Sequence, residues 1–522
     1  MTNKRFPVEM LLVVFLVVAG CNNNSSGPET PRTPADAKGK EVVAAYCQSC
    51  HLLPDPAMID KQHWQTGVLP QMGPRLGLFS FQDHEYPSYN GDLYLEDPIY
   101  PDRALIDSTG WQKILDYFQE VAPDSLSPQK KDQLIGRQLA NFSVAVPESN
   151  NYSPATICIK LDTSENRSRV FRSDALQRIL YMFDEKLRVI DSLPLPAGIT
   201  DISITGRNEI VACFVGQLMP NIGRSGFVKK IFIDSTTGKM RLDTTVMFER
   251  LARPVRIVAT DLNNDQLNDY LVCEFGHLFG SLSLFTANQK GGFDKQVLQN
   301  SPGVIDVRLD DFNKDGLLDI WALFTQGDER IILFTNKGNA NFQQTTVLRF
   351  QPATGSSGFE LTDINQDGLK DIIHTSGDNG DFSQVLKPYH GIYIYVNKGD
   401  NKFEQQFFYP INGCFKSVTR DFDHDGDMDI ASIAYFADYA KAPEEGFVFF
   451  ENLGHLKFKI NSIPAAEKGR WLCMDAGDLD RDGKEDLLLG NMSLGPTVVP
   501  SATDWRIGPS FMVLMNKHLK TK

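Results

Sequence analysis

The sequence predicts a multidomain fold, a small all-α domain near the N-terminus followed by an all-β propeller of seven blades. Three observations carry this expectation. From about residue 200 the chain repeats itself, and from Asp261 an aspartate-rich loop recurs five times between apolar runs of strand length, its successive first aspartates 50, 52, 58 and 57 residues apart. Apolar stripes of helical period are confined to positions before residue 140. The chain has 522 residues, more than one ordinary core organises, and its 42% hydrophobic and 23% charged make-up is that of a soluble globular protein. A net charge of −14 with no basic run argues against a nucleic-acid partner and gathers the acidity in the repeated loops.

In chain order, Lys4 and Arg5 precede an apolar run from Met10 to Ala19 that is too short to span a bilayer, the pattern of an export signal. Val18-Ala19-Gly20-Cys21 resembles a bacterial lipobox. The resemblance implies cleavage before Cys21, acylation of that cysteine, and an outer-membrane lipoprotein of the cell envelope, periplasmic or surface-facing, held by its lipid anchor. Residues 1–20 are then the signal peptide and 21–35 a flexible tether.

Residues 36–126 contain Cys47-Gln48-Ser49-Cys50-His51. Two thiols three residues apart can each form a thioether to a porphyrin vinyl, and the adjacent imidazole is placed to ligate the iron. This is a signature for one haem c attached at Cys47 and Cys50, with His51 as proximal ligand. A redox dithiol would want a βαβ context, and a zinc site a second Cys or His pair at fixed spacing; neither is near. Val42, Val43 and Tyr46 fall at helical spacing just before the peptide. Trp111, Ile114, Leu115 and Phe118 form a second stripe, capped by Ser108 or Thr109 and ending at Ala122-Pro123.

Two helices so placed around this peptide resemble cytochrome c. The resemblance implies that Gly39 on the first helix touches an aromatic on the last, and that a sixth iron ligand lies between them. The candidates are Met58, His63, Met72 and His84. Met72 is chosen because two prolines and Gly73 in Leu69-Pro70-Gln71-Met72-Gly73-Pro74 suit a stiff loop close to a haem face, with His63 as the alternative. The irregular stretch 79–107, with Tyr86, Tyr89, Tyr94 and Tyr100, is expected to cover part of the haem. Ser127-Pro128 opens an expected linker helix over 127–140 that carries Leu134, Ile135 and Leu139.

The repeated loops place oxygen-bearing side chains at positions 1, 3, 5 and 9. These are Asp261, Asn263, Asp265 and Asp269; Asp311, Asn313, Asp315 and Asp319; and Asp363, Asn365, Asp367 and Asp371. Two further copies have Asp421, Asp423, Asp425 and Asp429, and Asp478, Asp480, Asp482 and Asp486. Glycine at position 6 permits the sharp turn, except in the first copy, where Gln266 replaces it. Carboxylates so crowded repel unless a hard cation sits among them, and calcium fits best, up to five ions. Strand-length runs flank the loops where an EF-hand would have helices, and the pattern resembles the FG-GAP or VCBS repeat of calcium-loop β-propellers across 141–522.

Each unit runs strand, Asp loop, strand, strand, Asn-x-Gly hairpin, strand, as in residues 304–349 with Asn336-Lys337-Gly338. Residues 155–196 and 199–249 keep the strand rhythm without the loop, making seven blades, two without metal. The last blade lacks a fourth strand. Because Phe142-Ser-Val-Ala-Val-Pro147 matches the outer strand of the preceding blade, residues 141–147 are expected to complete it. Cys158, Cys213, Cys273, Cys414 and Cys473 lie in or beside apolar runs and are expected to be buried thiols.

Functionally, the sequence suggests a membrane-anchored c-type cytochrome that transfers electrons to or from a redox partner protein of the cell envelope, with the propeller as docking scaffold. A carbohydrate or protein ligand of the propeller is kept as a second partner class. No catalytic residue is assigned, because no histidine or carboxylate cluster stands apart from the loops. Two alternatives stay open: a periplasmic sugar or alcohol dehydrogenase with a fused cytochrome c, and a binding or adhesion module whose haem senses redox state.

Overall fold

The computed structural model describes residues 34–95, 99–148, 152–164, 168–380 and 382–517; the expected export signal and Cys21 lie outside them. Seven antiparallel sheets stand around a ring. Blades 1 to 7 span residues 156–194, 199–251, 254–299, 304–349, 356–410, 414–461 and 471–516. In blades 1 to 6 the strands follow chain order from the first outward, and blade 2 carries one extra short strand, Phe248–Leu251, against its third. The first strands of neighbouring blades pack side by side, blade 7 against blade 1 included.

Burial follows from this stacking. Second strands such as Asp319–Phe324 and Asp371–Ser376 are buried at every residue, because a neighbouring blade covers each face. Outer strands such as Phe342–Arg349 face solvent on one side and are largely polar. The ring closes as the sequence match predicts: Phe142–Ala145 pairs antiparallel with Phe511–Asn516, from Phe142 opposite Asn516 to Ala145 opposite Val513. Both ends of the propeller thus share blade 7, which gives that blade its outer strand and closes the ring. The five propeller cysteines are free thiols, and all but the half-buried Cys473 are fully buried.

The first strands also line the ring's axis with charge, which the sequence alone did not reveal. Lys160 of blade 1 faces Asp475 of blade 7 at 3.7 Å; Arg256 of blade 3 reaches Asp201 of blade 2 at 3.4 Å and Asp306 of blade 4 at 3.2 Å. Arg308 then joins Asp306 at 2.7 Å to Glu360 of blade 5 at 2.9 Å. Arg256 therefore bridges two carboxylates from the blades on either side of its own. An Arg256→Met variant, which leaves Asp201 without its cation while Asp306 keeps Arg308, is expected to lose about 3 kcal/mol of stability. Denaturant titration checks this, and adding Asp201→Asn to the variant should recover part of the loss.

Residues 36–126 do not form the expected separate all-α domain. Among the described residues the protein is nearly all β, and the helices here are short: α1 (Pro34–Cys47), α2 (Lys61–His63), α3 (Leu69–Arg75) and α4 (Ser108–Val121). Between α3 and α4 lie a small hairpin, Ser80–Phe81 with His84–Glu85, and irregular chain. Such short helices depend on tertiary packing, and here the packing includes the propeller. Ala353, between blades 4 and 5, joins the cluster of Val43, Trp64, Leu69, Trp111, Ile114 and Phe118. The Tyr389 hydroxyl of blade 5 lies 3.1 Å from the Met58 carbonyl and 3.0 Å from that of Ala353. Gly67 approaches the Phe382 carbonyl so closely that a Cβ would clash. The segment is a cap on one face of the ring.

The expected linker helix over 127–140 is likewise absent; the segment is an irregular strap along blades 5 and 6. Its apolar residues do not share a face: Leu134 is 82% exposed, whereas Ile135 and Leu139 pack into blade cores. Pairing with an open strand edge wins over helix formation. Gly136 N–H donates to the Ile460 carbonyl at 2.9 Å, and Ser462 N–H returns a bond to the Gly136 carbonyl at 2.7 Å. Gln129 Nε2 donates to the carbonyls of Lys387 and His390 at 3.1 and 2.7 Å, and Lys131 pairs with buried Glu445. Among the described residues no helix is long and apolar enough to cross a membrane.

Candidate functional site

The cap and the ring enclose a cavity of about 270 Å³ whose lining includes Cys47, Cys50, His51 and Met72. α1 delivers the first thiol. It crosses α4 at Gly39, where a Cβ would sit 2.8 Å from Tyr117 Cβ, so the expected contact between a small residue and an aromatic is present. α4 begins one residue earlier than the sequence suggested, with the Asp107 carboxylate accepting Gly110 N–H at 2.7 Å, and buries Trp111, Ile114, Tyr117 and Phe118. Between these helices the chain makes one π turn, Trp64–Val68, that runs straight into α3. This run presents Trp64, Val68, Leu69, Met72 and Leu76 to the cavity.

The Met72 stretch is therefore helix rather than loop. Pro70 sits in the first turn, where its missing N–H costs nothing, and Gly73 makes room for the Tyr86 ring. Among the sixth-ligand candidates, Met72 is the one that lines the cavity with His51. His63 Nδ1 is instead engaged by the Asp60 carboxylate, at 2.8 and 2.9 Å. The His51 Nδ1–H donates to the Leu52 carbonyl at 2.7 Å, which leaves Nε2 with a lone pair for a metal. Burial, and next the neighbouring Cys50, push the Cys47 thiol up to about 11, unlike a reactive dithiol.

The far wall belongs to the propeller and was missed, because nothing in the sequence ties it to residue 47. In every blade the loop between strands 2 and 3 and the crossing to the next blade emerge at one end of the sheet. From that end come His277 of blade 3, Gln326 and Glu329 of blade 4, Ala353 and Gly355 of the crossing, and Asp378, Asn379 and Lys387 of blade 5. Burial pushes His277 down to about 4, so it is neutral; Tyr89 meets it edge-on at 5.3 Å. The stretch 79–107 leans against these loops and α4, with Trp111 Nε1 donating to the Tyr86 hydroxyl at 2.9 Å, and its described residues supply none of the cavity lining. The propeller, not this loop, covers the cavity.

The five Asp loops lie at the opposite end of the blades, between strands 1 and 2, beside the Asn-x-Gly hairpins. Position 9 is held alike in all five. Asp319, for example, accepts Phe312 N–H at 3.2 Å and Asn336 N–H at 2.7 Å. Position 1 accepts the N–H of position 6, as from Gln266 to Asp261 at 2.7 Å and from Gly316 to Asp311 at 2.9 Å. That sixth residue has positive φ in every copy, 69° at Gln266 and 86–98° at the glycines, so Gln266 adopts the turn that glycine favours. The asparagine that ends the third strand also links blades: Asn336 Nδ2 donates to the Leu262 carbonyl at 2.9 Å and Asn516 Nδ2 to that of Phe422 at 2.6 Å.

Two copies bring three carboxylates within 4.8 Å of one another, Asp421 with Asp423 and Asp425, and Asp478 with Asp480 and Asp486. In the first three copies asparagine occupies position 3, and its amide donates to position 5, as from Asn313 to Asp315 at 2.9 Å. Blade 6 is the most acidic. Asp421 Oδ1 is buried without a hydrogen-bond partner, and the sequence reading overlooked Asp427, pushed up to about 6 by burial and then by Asp425.

A model of the FG-GAP-like repeat matches residues 311–374, which run from the Asp loop of blade 4 through that of blade 5. Among curated proteins none matches the chain. Similar solved structures include the Dos1 propeller, 8% identical with a TM-score of 0.43 over 70% of this chain and 81% of that one. BBS1N in complex with ARL6DN is 10% identical with a TM-score of 0.43, over 73% of this chain and 98% of that one. The periplasmic gluconolactonase PpgL of Pseudomonas aeruginosa is 12% identical with a TM-score of 0.38, over 67% and 89%. The fold and repeat define the class, a seven-bladed β-propeller scaffold that carries FG-GAP-like repeats.

Proposed function

We propose that the cavity between cap and ring holds one covalently attached haem c, and that the protein passes electrons to a redox partner protein of the cell envelope. The observation that carries this reading is the joint lining of one largely apolar cavity by Cys47, Cys50, His51 and Met72. A flat apolar macrocycle with a central iron requires a slot of this kind. Cys47 and Cys50 would carry the covalent links, and His51 Nε2 and the Met72 sulfur would be the iron's ligands from the protein. Bound there, the haem supplies a one-electron iron couple. Trp64, Leu69 and Phe118 exclude water, which holds the iron's potential apart from that of an exposed haem.

The Asp loops, at the far end of the blades, bind calcium and stabilise the scaffold without touching the redox site. Acylated Cys21 anchors the protein to the outer membrane. Protein produced with a haem-maturation system should be reduced and reoxidised by redox proteins from its own envelope fraction. If the isolated protein, given calcium and pyrroloquinoline quinone, instead reduces its haem on addition of a sugar or alcohol, the dehydrogenase reading replaces this one.

A further inference from the structure

We infer that Glu329, on the propeller wall of the cavity, couples the redox state of the haem to uptake of one proton. The inference rests on the haem reading above. Glu329 is 2% exposed and lines the same cavity as His51 and Met72, although it lies 278 residues beyond His51 in the chain. It accepts Gly355 N–H at 3.1 Å and Ser356 N–H at 2.8 Å, both from the crossing between blades 4 and 5. These bonds fix the carboxyl in the wall. The charged and titratable groups around it are Asp378, Lys387 and Tyr389 of blade 5, His277 of blade 3, and Arg75 and His51 of the cap.

Burial is the main influence on this carboxyl; the Ser356 and Gly355 hydrogen bonds oppose it and Asp378 reinforces it, with the net result that it is pushed up to about 7. At neutral pH it is therefore poised between its two forms. When an external one-electron donor delivers an electron to the iron, the cavity gains one negative charge. In a water-poor enclosure that charge would be offset by a proton on a carboxylate of the cavity wall; Asp378 shares that wall and is itself raised by burial, but Glu329 is the one held by the two backbone N–H groups of the crossing. Glu329 takes that proton from solvent and becomes the neutral acid; on oxidation it returns the proton. One electron and one proton enter together, and no bond other than the O–H is made. Gln326 Oε1 and Asn379 Nδ2, buried on the same wall without hydrogen-bond partners, supply a polar route for the proton or for a bridging water.

Spectroelectrochemical titration of the full-length haem protein, from about pH 5 to about pH 9, tests this directly. In the wild type the electron affinity should fall as pH rises across the neutral range, by up to tenfold per unit, or about 59 mV for a one-electron couple. In Glu329→Gln that slope should vanish, whereas Glu329→Asp should keep it at a shifted midpoint. A redox-difference infrared spectrum of the wild type should show a protonated carboxyl gained on reduction, which keeps the question decidable if the glutamine variant misfolds. An unchanged slope in Glu329→Gln, or no carboxyl band in the wild type, overturns the inference while leaving the haem reading intact. Wild-type protein that carries no haem overturns both.

Discussion

Replacing both Cys47 and Cys50 with alanine is expected to leave the denatured protein free of haem, whereas the wild type, made with the same maturation system, retains it through denaturation. Haem staining of a denaturing gel reads the difference. The effect would be all-or-none because the two thioethers are the covalent links the proposed attachment makes, and each single variant should keep one of them. The geometry favours this chemistry over its competitors. A redox dithiol or a zinc site needs thiolates, and burial holds the Cys47 thiol up to about 11. Met72→Ala should retain covalent haem but lose the weak sulfur-to-iron band of the oxidised spectrum, since on the proposed reading Met72 would supply a sulfur ligand and no covalent link. Haem that persists through denaturation in the double variant would sink the assignment.

The legible part of this molecule was the repeated part. Five Asp loops at nearly constant spacing, each leading into a strand buried on both faces, leave few folds other than stacked blades, and the match between Phe142 and Phe458 placed the closing strand correctly. Residues before 140 are not repeated, and there local patterns misled. The helical stripes of α1 and α4 are real, but an amphipathic stripe reports that a face is covered without naming what covers it. Here part of the cover is the propeller, so no separate all-α domain results. Residues 127–140 carry a plausible cap and three apolar residues, yet the free edge of blade 6 offered their backbone better partners. Glu329, Asn379 and His277 reach the cavity through loops whose position depends on the whole ring having closed. No local spacing could reveal them.

Removing calcium from the loop face is expected to lower the melting temperature strongly, and more so at neutral than at acidic pH. In the metal-free protein Asp371 is pushed up to about 6, and Asp429 and Asp486 up to about 7, by burial foremost and by the neighbouring loop carboxylates. The same groups in an unfolded chain titrate near about 3.9. Between about pH 4 and about pH 7 the folded state therefore holds more protons than the unfolded state, and metal-free stability falls as pH rises through that window. Above it the buried charge is uncompensated in full. Calcium bound there would replace those protons and reverse the penalty, contributing about 2.7 kcal/mol per site at a hundredfold excess over Kd. Because several loops act together, chelator should produce the largest shift at and above about pH 7 and little at about pH 5, where protons already neutralise part of the charge. Calorimetric scans with calcium and with chelator at the two pH values make the comparison. A melting temperature that chelator leaves unchanged at neutral pH would exclude calcium from the loops, and a larger effect at acidic than at neutral pH would show that these buried carboxylates are not the groups it relieves.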